Sequence, residues 1–252
     1  MTQLSVITGS SRGMGEAIAL QCLAAGHQVI GIARQTSPAL ADAATRHGAT
    51  LLQWQADLAE ASTVARQLQA WLADTPPGRF DSVTLINNAG VIAPLRPLGD
   101  IPLDDTVRAL RVGLEAAMLL TTTFLAGTAA WPGRRQVLNI SSGLGRRAMA
   151  GSASYCAAKA GMDHFSRCVA LEEAARPNPA RIASLAPGVI ATDMQVQLRA
   201  ADPVAFPDRA NFVQLQASGQ LMSPDDAARK VLAVLARPDF GQEVVCDVRS
   251  LA

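Results

Sequence analysis

The chain has 252 residues, of which 49% are apolar and 17% charged, which suits one α/β domain with a sizeable core and excludes intrinsic disorder. The 22 basic and 21 acidic side chains are well mixed and give a net charge of +1, so neither a nucleic acid nor a membrane surface is favoured as a partner. The four cysteines are scattered and the first strand starts at once, so we expect reduced thiols, no metal site, no signal peptide and a cytoplasmic location.

Apolar runs typical of strands alternate with longer segments of helical periodicity. The strand candidates are LSVIT (4–8), QVIGIA (28–33), LLQWQA (51–56), SVTLINN (82–88), QVLNIS (136–141), RIASLAP (181–187) and EVVCDV (243–248). The helical segments lie near 14–25, 37–47, 60–74, 103–127, 153–175 and 224–236. This alternation predicts a single α/β domain, a Rossmann-like doubly wound parallel sheet of about seven strands with helices on both faces. The most apolar stretch, near 116–131, is interrupted by threonines and glycine, which favours a buried helix over a membrane span.

The first strand leads into a glycine-rich turn, Gly9-Ser10-Ser11-Arg12-Gly13-Met14-Gly15, and a helix follows. Glycines permit a tight turn and close approach of the backbone to a pyrophosphate, and a helix N-terminus favours bound phosphate. The spacing is G-x-x-x-G-x-G, which alone is a weak signal. Its position after the first strand predicts a dinucleotide site.

The second strand ends in Ala33 and Arg34, where a carboxylate is usual when a ribose 2′-hydroxyl is bound. Arg34 and Arg12 are suited to hold a 2′-phosphate through charge-assisted hydrogen bonds. This pair predicts NADP(H) as the cofactor, although Arg34 alone would also fit a solvated surface position.

Tyr155 and Lys159 are four residues apart in a helical segment, and Ser142 precedes the tyrosine by thirteen positions. An i,i+4 pair shares one helix face, so we expect the ammonium beside the phenol. A neighbouring cation lowers the pKa of a phenol from its ordinary value near ~10. The pattern therefore predicts that Tyr155 acts as an acid and base. Ser141 faces the opposite way along the strand, and we expect it to be structural.

The segment 192–224 is long and lies between the sixth strand and the last helix. Long excursions of this kind are often binding loops, so we predict a substrate lid. The alternative is a helical insertion that only packs.

The motifs together resemble the short-chain dehydrogenase/reductase family, and they occur in the family's order across nearly the whole chain. They are TGSSRGMG (8–15), Asp57-Leu58, NNAG (87–90), NISS (139–142), YCAAK (155–159) and PGVIAT (187–192). Within the family the chain is similar to bacterial benzil reductases that form S-benzoin, and to sepiapterin reductases. The resemblance implies an NADPH-dependent reductase of a carbonyl beside another carbonyl, and a homodimer or homotetramer associated through 103–127 and 153–175.

The resemblance also implies roles for individual residues. Ser142 would bind the substrate carbonyl, Tyr155 would protonate its oxygen, and Lys159 would bind the nicotinamide ribose and depress the pKa of the tyrosine. The nucleotide would be bound by Gly9, Ser10, Ser11, Arg12, Met14, Gly15, Arg34, Asp57, Leu58, Asn88, Ala89, Gly90, Tyr155, Lys159, Pro187, Gly188, Ile190 and Thr192.

Two features depart from the family pattern. Gly113 stands where an asparagine usually helps to hold a water for proton resupply, which leaves a rerouted proton relay or mere close helix packing as explanations. Asp247 lies near, but not in register with, the acidic residue that grips a pterin in sepiapterin reductases, so a pterin is the weaker substrate. An apolar pocket for aromatic diketones is suggested by Ile92, Leu144, Met149 and Met194.

Two other functions stay open. One is an NADP-dependent secondary-alcohol dehydrogenase working in the oxidative direction. The other is a nucleotide-sensing binding protein with little turnover, since a fold alone does not fix an activity.

Overall fold

The computed structural model describes residues 2–250. Seven strands form one sheet, and every pairing between them is parallel. They are β1 (Gln3–Thr8), β2 (Gln28–Ala33), β3 (Leu51–Gln55), β4 (Ser82–Asn87), β5 (Arg134–Ile140), β6 (Arg181–Ala186) and β7 (Val245–Asp247). Their spatial order is β3-β2-β1-β4-β5-β6-β7. The order reverses between β1 and β4, which opens a crevice at the carboxyl ends of these strands.

Helices cover both faces of the sheet, so the predicted doubly wound fold is confirmed. They are α1 (Gly13–Ala24), α2 (Pro38–His47), α3 (Ala61–Ala73), α4 (Leu103–Leu110), α5 (Ala116–Gly127), α6 (Ala153–Ala174), α7 (Asp193–Ala200), α8 (Arg209–Ala217) and α9 (Pro224–Ala236). Helices α1, α2 and α9 pack on one face around an apolar core. Helices α3, α5 and α6 pack on the other face around a second core.

Helices α4 and α5 are joined by a π-helical turn, Arg111–Glu115, into one helix from Leu103 to Gly127. This helix is long and apolar enough to cross a membrane by length and composition, but 44% of its most apolar window is buried inside the protein. Buried core helices pass the same test, so the finding does not by itself indicate a membrane protein. Gly113 lies in the π-helical turn, where an added Cβ would be 3.1 Å from the Ala158 Cβ atom. The glycine therefore lies where this helix packs closely on α6, as the packing explanation expects.

The predicted helices agree with the structure to within a residue at either end, and the sixth, 224–236, agrees at both ends. The last strand is shorter than the predicted 243–248, because a turn in which Gln242 N–H donates to the Asp239 carbonyl (3.0 Å) precedes it. Two helices, α7 and α8, occupy the segment predicted as a lid. Its two ends are held together by a parallel bridge between Ile190 and Met222.

A buried ion pair lies at the amino-terminal end of β5. The Arg135 guanidinium is 3.3 Å from a Glu173 carboxylate oxygen, and both side chains are almost fully buried. The guanidinium also donates to the hydroxyl of Thr128 (3.0 Å) and to the backbone carbonyls of Leu125 (2.9 Å) and Asn178 (2.7 Å). The Glu173 carboxylate in turn accepts a backbone N–H, so both charges are compensated.

Candidate active site

The glycine-rich turn lies at the carboxyl end of β1, where α1 begins. Gly9 has a φ of +69°, a left-handed conformation that glycine adopts readily. A Cβ at Gly15 would fall on the Gly9 carbonyl oxygen, so only glycine fits there. The Gly9 N–H donates to the Ile32 carbonyl (2.8 Å), which fixes the turn against β2. The result is a backbone cradle at a helix N-terminus, which fits a bound pyrophosphate.

Thr8 anchors the loop after β4 to this turn, a role that the sequence analysis missed. Its hydroxyl accepts the backbone N–H groups of Asn88 and Ala89, both at 3.0 Å. The Asn88 side chain donates to the Thr8 carbonyl (2.9 Å). Since Thr8 is also a buried strand residue, its apolar neighbours in the sequence give no hint of this polar function.

The opposite end of the cavity is rich in charge. Asp57 accepts the Ala59 N–H (2.9 Å) and forms an ion pair with Arg108 (3.0 Å). The Ala59 N–H first, and Arg108 and Arg34 after it, hold the pKa of Asp57 below its ordinary value. The Arg108 contact reaches across from α4, and no motif in the sequence indicated it.

Arg12 forms an exposed ion pair with Asp193, at 2.8 Å. Asp193 is the first residue of α7, so the pair links the glycine-rich turn to the segment predicted as a lid.

Ser142, Tyr155 and Lys159 lie together at the carboxyl end of β5. Ser142 caps a short 3₁₀ turn, Gly143–Gly145, by accepting the Leu144 N–H (3.1 Å). Tyr155 and Lys159 are on α6, and the Lys159 Nζ atom is 5.7 Å from the centroid of the tyrosine ring. Lys159 Nζ also donates to the Ile140 carbonyl (2.7 Å). The i,i+4 spacing therefore does place the ammonium beside the aromatic ring.

Burial dominates the electrostatics of this pair. It raises the pKa of Tyr155 to about 12, and a hydrogen bond with Ser142 only partly opposes the rise. It lowers the pKa of Lys159 to about 8, against the attraction of Asp163. The structure does not bear out the predicted lowering of the tyrosine pKa, because desolvation of the phenolate raises it and Lys159 is not among the groups that oppose the rise.

One cavity of about 1220 Å³ joins these elements. Every residue predicted to bind the cofactor or to act in catalysis lines it except Ser10. The Ser10 side chain is buried, directed from the turn towards Gly31 of β2. The arrangement brings the nucleotide cradle and the three predicted catalytic side chains to a single crevice.

An apolar cluster forms the other wall of the site. Its buried members are Leu95, Met149, Leu198 and Phe206, and its partly buried members are Ile92, Leu144, Cys156, Met194, Ala201 and Phe212. Three of the four predicted pocket residues, Ile92, Leu144 and Met194, line the cavity. Met149 is in the cluster but outside the lining. Asp247 lines the cavity too, where it forms an ion pair with Arg249 (2.6 Å).

The chain is similar to known oxidoreductases over nearly its whole length. Residues 3–203 match the family model described as short chain dehydrogenase. The chain is 34% identical over 237 residues to a benzil reductase ((S)-benzoin forming) of Bacillus cereus, covering 94% of this chain and 95% of the relative. It is 32% identical over 255 residues to sepiapterin reductase of Bos taurus, covering 94% and 91%.

Among solved structures, the KRED1-Pglu enzyme superposes with a TM-score of 0.79 at 27% identity, covering 96% of this chain and 99% of that one. The fold, the crevice and the extent of these matches lead to one conclusion. The chain belongs to the short-chain dehydrogenase/reductase family, whose members are oxidoreductases that bind nicotinamide cofactors.

Proposed function

We propose that the chain is an NADPH-dependent reductase that converts a ketone or an α-diketone to an alcohol. The observation that carries the proposal is that Ser142, Tyr155 and Lys159 line the same cavity as the glycine-rich turn. The 34% identity to a benzil reductase over nearly the whole chain supports a diketone as substrate.

Two arginines support NADPH over NADH. Arg34 follows β2 directly, at the position where a carboxylate would select a 2′-hydroxyl, and both Arg34 and Arg12 line the cavity. The ion pair of Arg12 with Asp193 is exposed on both sides, and such pairs contribute little. A 2′-phosphate can therefore compete with Asp193 for Arg12.

The reduced nicotinamide, when bound, supplies the hydride. The chain itself handles the charge and the proton. Ser142 Oγ accepts the Leu144 N–H and its hydroxyl is hydrogen-bonded to Tyr155, so its hydrogen can turn from the phenol to the substrate oxygen, where negative charge grows. Tyr155 donates its proton to the same oxygen. Lys159, with a pKa of about 8, is mostly an ammonium at neutral pH and offsets the negative charge left on the phenol.

Burial keeps Tyr155 as the protonated phenol, which is the form that carbonyl reduction consumes. The same burial makes the phenol a weaker acid, so the pKa of Tyr155 does not separate reduction from alcohol oxidation. Cofactor preference separates the two, and the arginines that favour NADPH support reduction.

The apolar cluster supports an aromatic or bulky carbonyl substrate. Phe206 and Phe212 stack on one another with ring centroids 5.7 Å apart, and Phe212 lines the cavity. Both residues come from the segment 192–224, which we propose as a lid over the substrate.

We propose a cytoplasmic homodimer or homotetramer. Leu103, Val107 and Leu171 are exposed apolar side chains on the helices expected to associate, and large exposed apolar groups are typical of interfaces.

The test follows the loss of NADPH absorbance with benzil, other diketones and simple ketones. We expect turnover with diketones, a preference for NADPH over NADH that Arg34→Ala abolishes, and a loss of about 100-fold or more in Tyr155→Phe. Arg46→Ala, which changes an exposed arginine outside the cavity lining, is the matched control. NADPH binding without turnover on any carbonyl would instead favour the nucleotide-sensing protein.

A further inference from the structure

A buried carboxylate lies one helical turn beyond Lys159. Asp163 is on α6 with only 2% of its surface exposed. One of its oxygens accepts the Ser184 hydroxyl at 2.7 Å. The other oxygen is buried and accepts no hydrogen bond, and it is 3.5 Å from the Arg146 Nε atom. Its ion-pair partner is thus a partly exposed guanidinium that donates no hydrogen bond to it, and a buried carboxylate oxygen without a hydrogen bond requires an explanation.

The helix places this carboxylate in line with the two predicted catalytic side chains. Tyr155, Lys159 and Asp163 occupy positions i, i+4 and i+8 of α6, so they follow one face of the helix. The turn after Ser142 closes over them. A Cβ at Gly145 would be 2.8 Å from the Asp163 Oδ2 atom and 2.9 Å from the Lys159 carbonyl oxygen. Lys159 and Asp163 are 3% and 2% exposed, so the low dielectric around them strengthens the attraction between their charges although the two groups form no direct ion pair.

The charged and titratable groups around the pair are few. Lys159 faces Tyr155 and Asp163 on its own helix, and the Ile140 carbonyl on β5. These contacts leave Asp163 as the one carboxylate that acts on the lysine among the described residues.

Asp163 in turn faces Arg146 from the turn after β5, Ser184 from β6 and Cys246 from β7. Burial raises the pKa of the Cys246 thiol to about 11, and the charge of Asp163 adds to that rise. The thiol is therefore neutral at physiological pH, and Arg146, which is partly exposed, is the cation within ion-pair distance of Asp163 among the described residues.

We propose that Asp163 is a positioning residue of this site, whose buried charge holds Lys159 in the ammonium form next to Tyr155. The inference rests on the proposed function, because Lys159 has its role in carbonyl reduction. Burial alone would push the lysine towards the neutral amine, and the pKa of about 8 is the balance of burial against Asp163. Without the carboxylate the lysine would lose its proton at a lower pH.

The chain allows a direct measurement, because Lys159 and Lys230 are its only lysines. In protein labelled with ¹³C at the lysine Cε atoms, two resonances are expected, and Lys230→Arg assigns them. We expect Asp163→Asn to lower the titration midpoint of Lys159 by about one pH unit. The pH at which kcat/KM declines on the basic side should fall by the same amount. Ser184→Ala removes the hydrogen bond but keeps the carboxylate, so its Lys159 midpoint should stay close to that of the wild type.

A Lys159 midpoint in folded Asp163→Asn equal to that of the wild type overturns the inference. Asp163→Ser is a second neutral variant in case the amide does not fit, and the same outcome applies to it. A purely structural role for Asp163 would lower stability in these variants without moving the midpoint. The titration of the Lys159 resonance can be measured without turnover, so the role of Asp163 and the proposed reductase function can be refuted independently. If no carbonyl is reduced the proposed function fails, whereas an unmoved midpoint in an active enzyme overturns only the role of Asp163.

Discussion

The single tyrosine of the chain makes the protonation of the proposed catalytic acid directly observable. Tyr155 is the only tyrosine, so the near-ultraviolet absorbance of tyrosinate reports on this one group. Burial raises its pKa from 10.0 to about 12. Each pKa unit is worth about 1.4 kcal/mol, so the fold favours the neutral phenol by about 3 kcal/mol.

This preference has a definite sign in the pH dependence of stability. Between pH 10 and 12 the unfolded chain has lost the proton that the folded chain still holds, so the free energy of unfolding falls as pH rises. Below pH 10 the contribution is fully present. Cys22 and Cys246, whose pKa values are each raised to about 11, act in the same direction. The wild type must therefore be compared with Tyr155→Phe. Between pH 10 and 12 the free energy of unfolding of the variant should fall by about 3 kcal/mol less than that of the wild type.

The assay is an alkaline titration of the folded protein, followed by absorbance and by far-ultraviolet circular dichroism. We expect the folded protein to form no tyrosinate until the pH is well above the tyrosine titration midpoint of the urea-unfolded chain, or until the protein unfolds. Tyr155→Phe supplies the baseline. A tyrosinate midpoint in the folded wild type at or below that of the urea-unfolded chain would refute the reasoning, since it would mean that the groups around the phenol stabilise the phenolate more than burial destabilises it.

Three further outcomes are expected. Gly15→Ala should displace the glycine-rich turn and weaken NADPH binding about tenfold in a fluorescence titration, a change of about 1.4 kcal/mol in binding free energy. Gly99→Ala is the control, because a Cβ added at Gly99 has no atom within 4 Å, and its NADPH affinity should equal that of the wild type. Glu173→Gln should reduce the free energy of unfolding in urea by about 3 kcal/mol, because it leaves a buried guanidinium without its counter-charge. Exposed Glu172→Gln is its control, and equal losses in the two would contradict the argument. The rate constant kcat/KM for the carbonyl should decline as pH rises through about 8, where Lys159 loses its charge, and a flat profile up to pH 10 would count against a role for the ammonium.

The sequence predicted the fold and the members of the crevice well, because both follow from patterns that are local in the chain. Buried parallel strands are apolar throughout, and the i,i+4 spacing on α6 fixes the relation of Tyr155 to Lys159. The direction in which the fold shifts the pKa of Tyr155 could not be predicted from a local pattern. It depends on how completely the fold removes the phenol from water, and only 9% of Tyr155 is exposed.

Contacts between distant segments were missed for a related reason. Arg108 on α4 meets Asp57 in the loop after β3, and Asp193 meets Arg12 across 181 positions in the chain. Neither ion pair is marked by any spacing or motif. The sequence left a helical insertion as the alternative for the segment 192–224, but it did not resolve α7 and α8, because polar and proline residues interrupt the periodicity there.

The backbone bridge between Ile190 and Met222 has a consequence for how this enzyme's selectivity can be altered. Ala191 N–H donates to the Met222 carbonyl and Met222 N–H donates to the Val189 carbonyl, both at 2.9 Å, so the excursion leaves and rejoins the scaffold at one clamped point. Changes of length between these anchors add only roughly 0.6 kcal/mol of loop-closure entropy per doubling, as long as the contacts of the segment with the apolar cluster are kept. If the proposed lid function is right, grafting this segment between relatives should transfer substrate preference while the sheet beneath keeps its register.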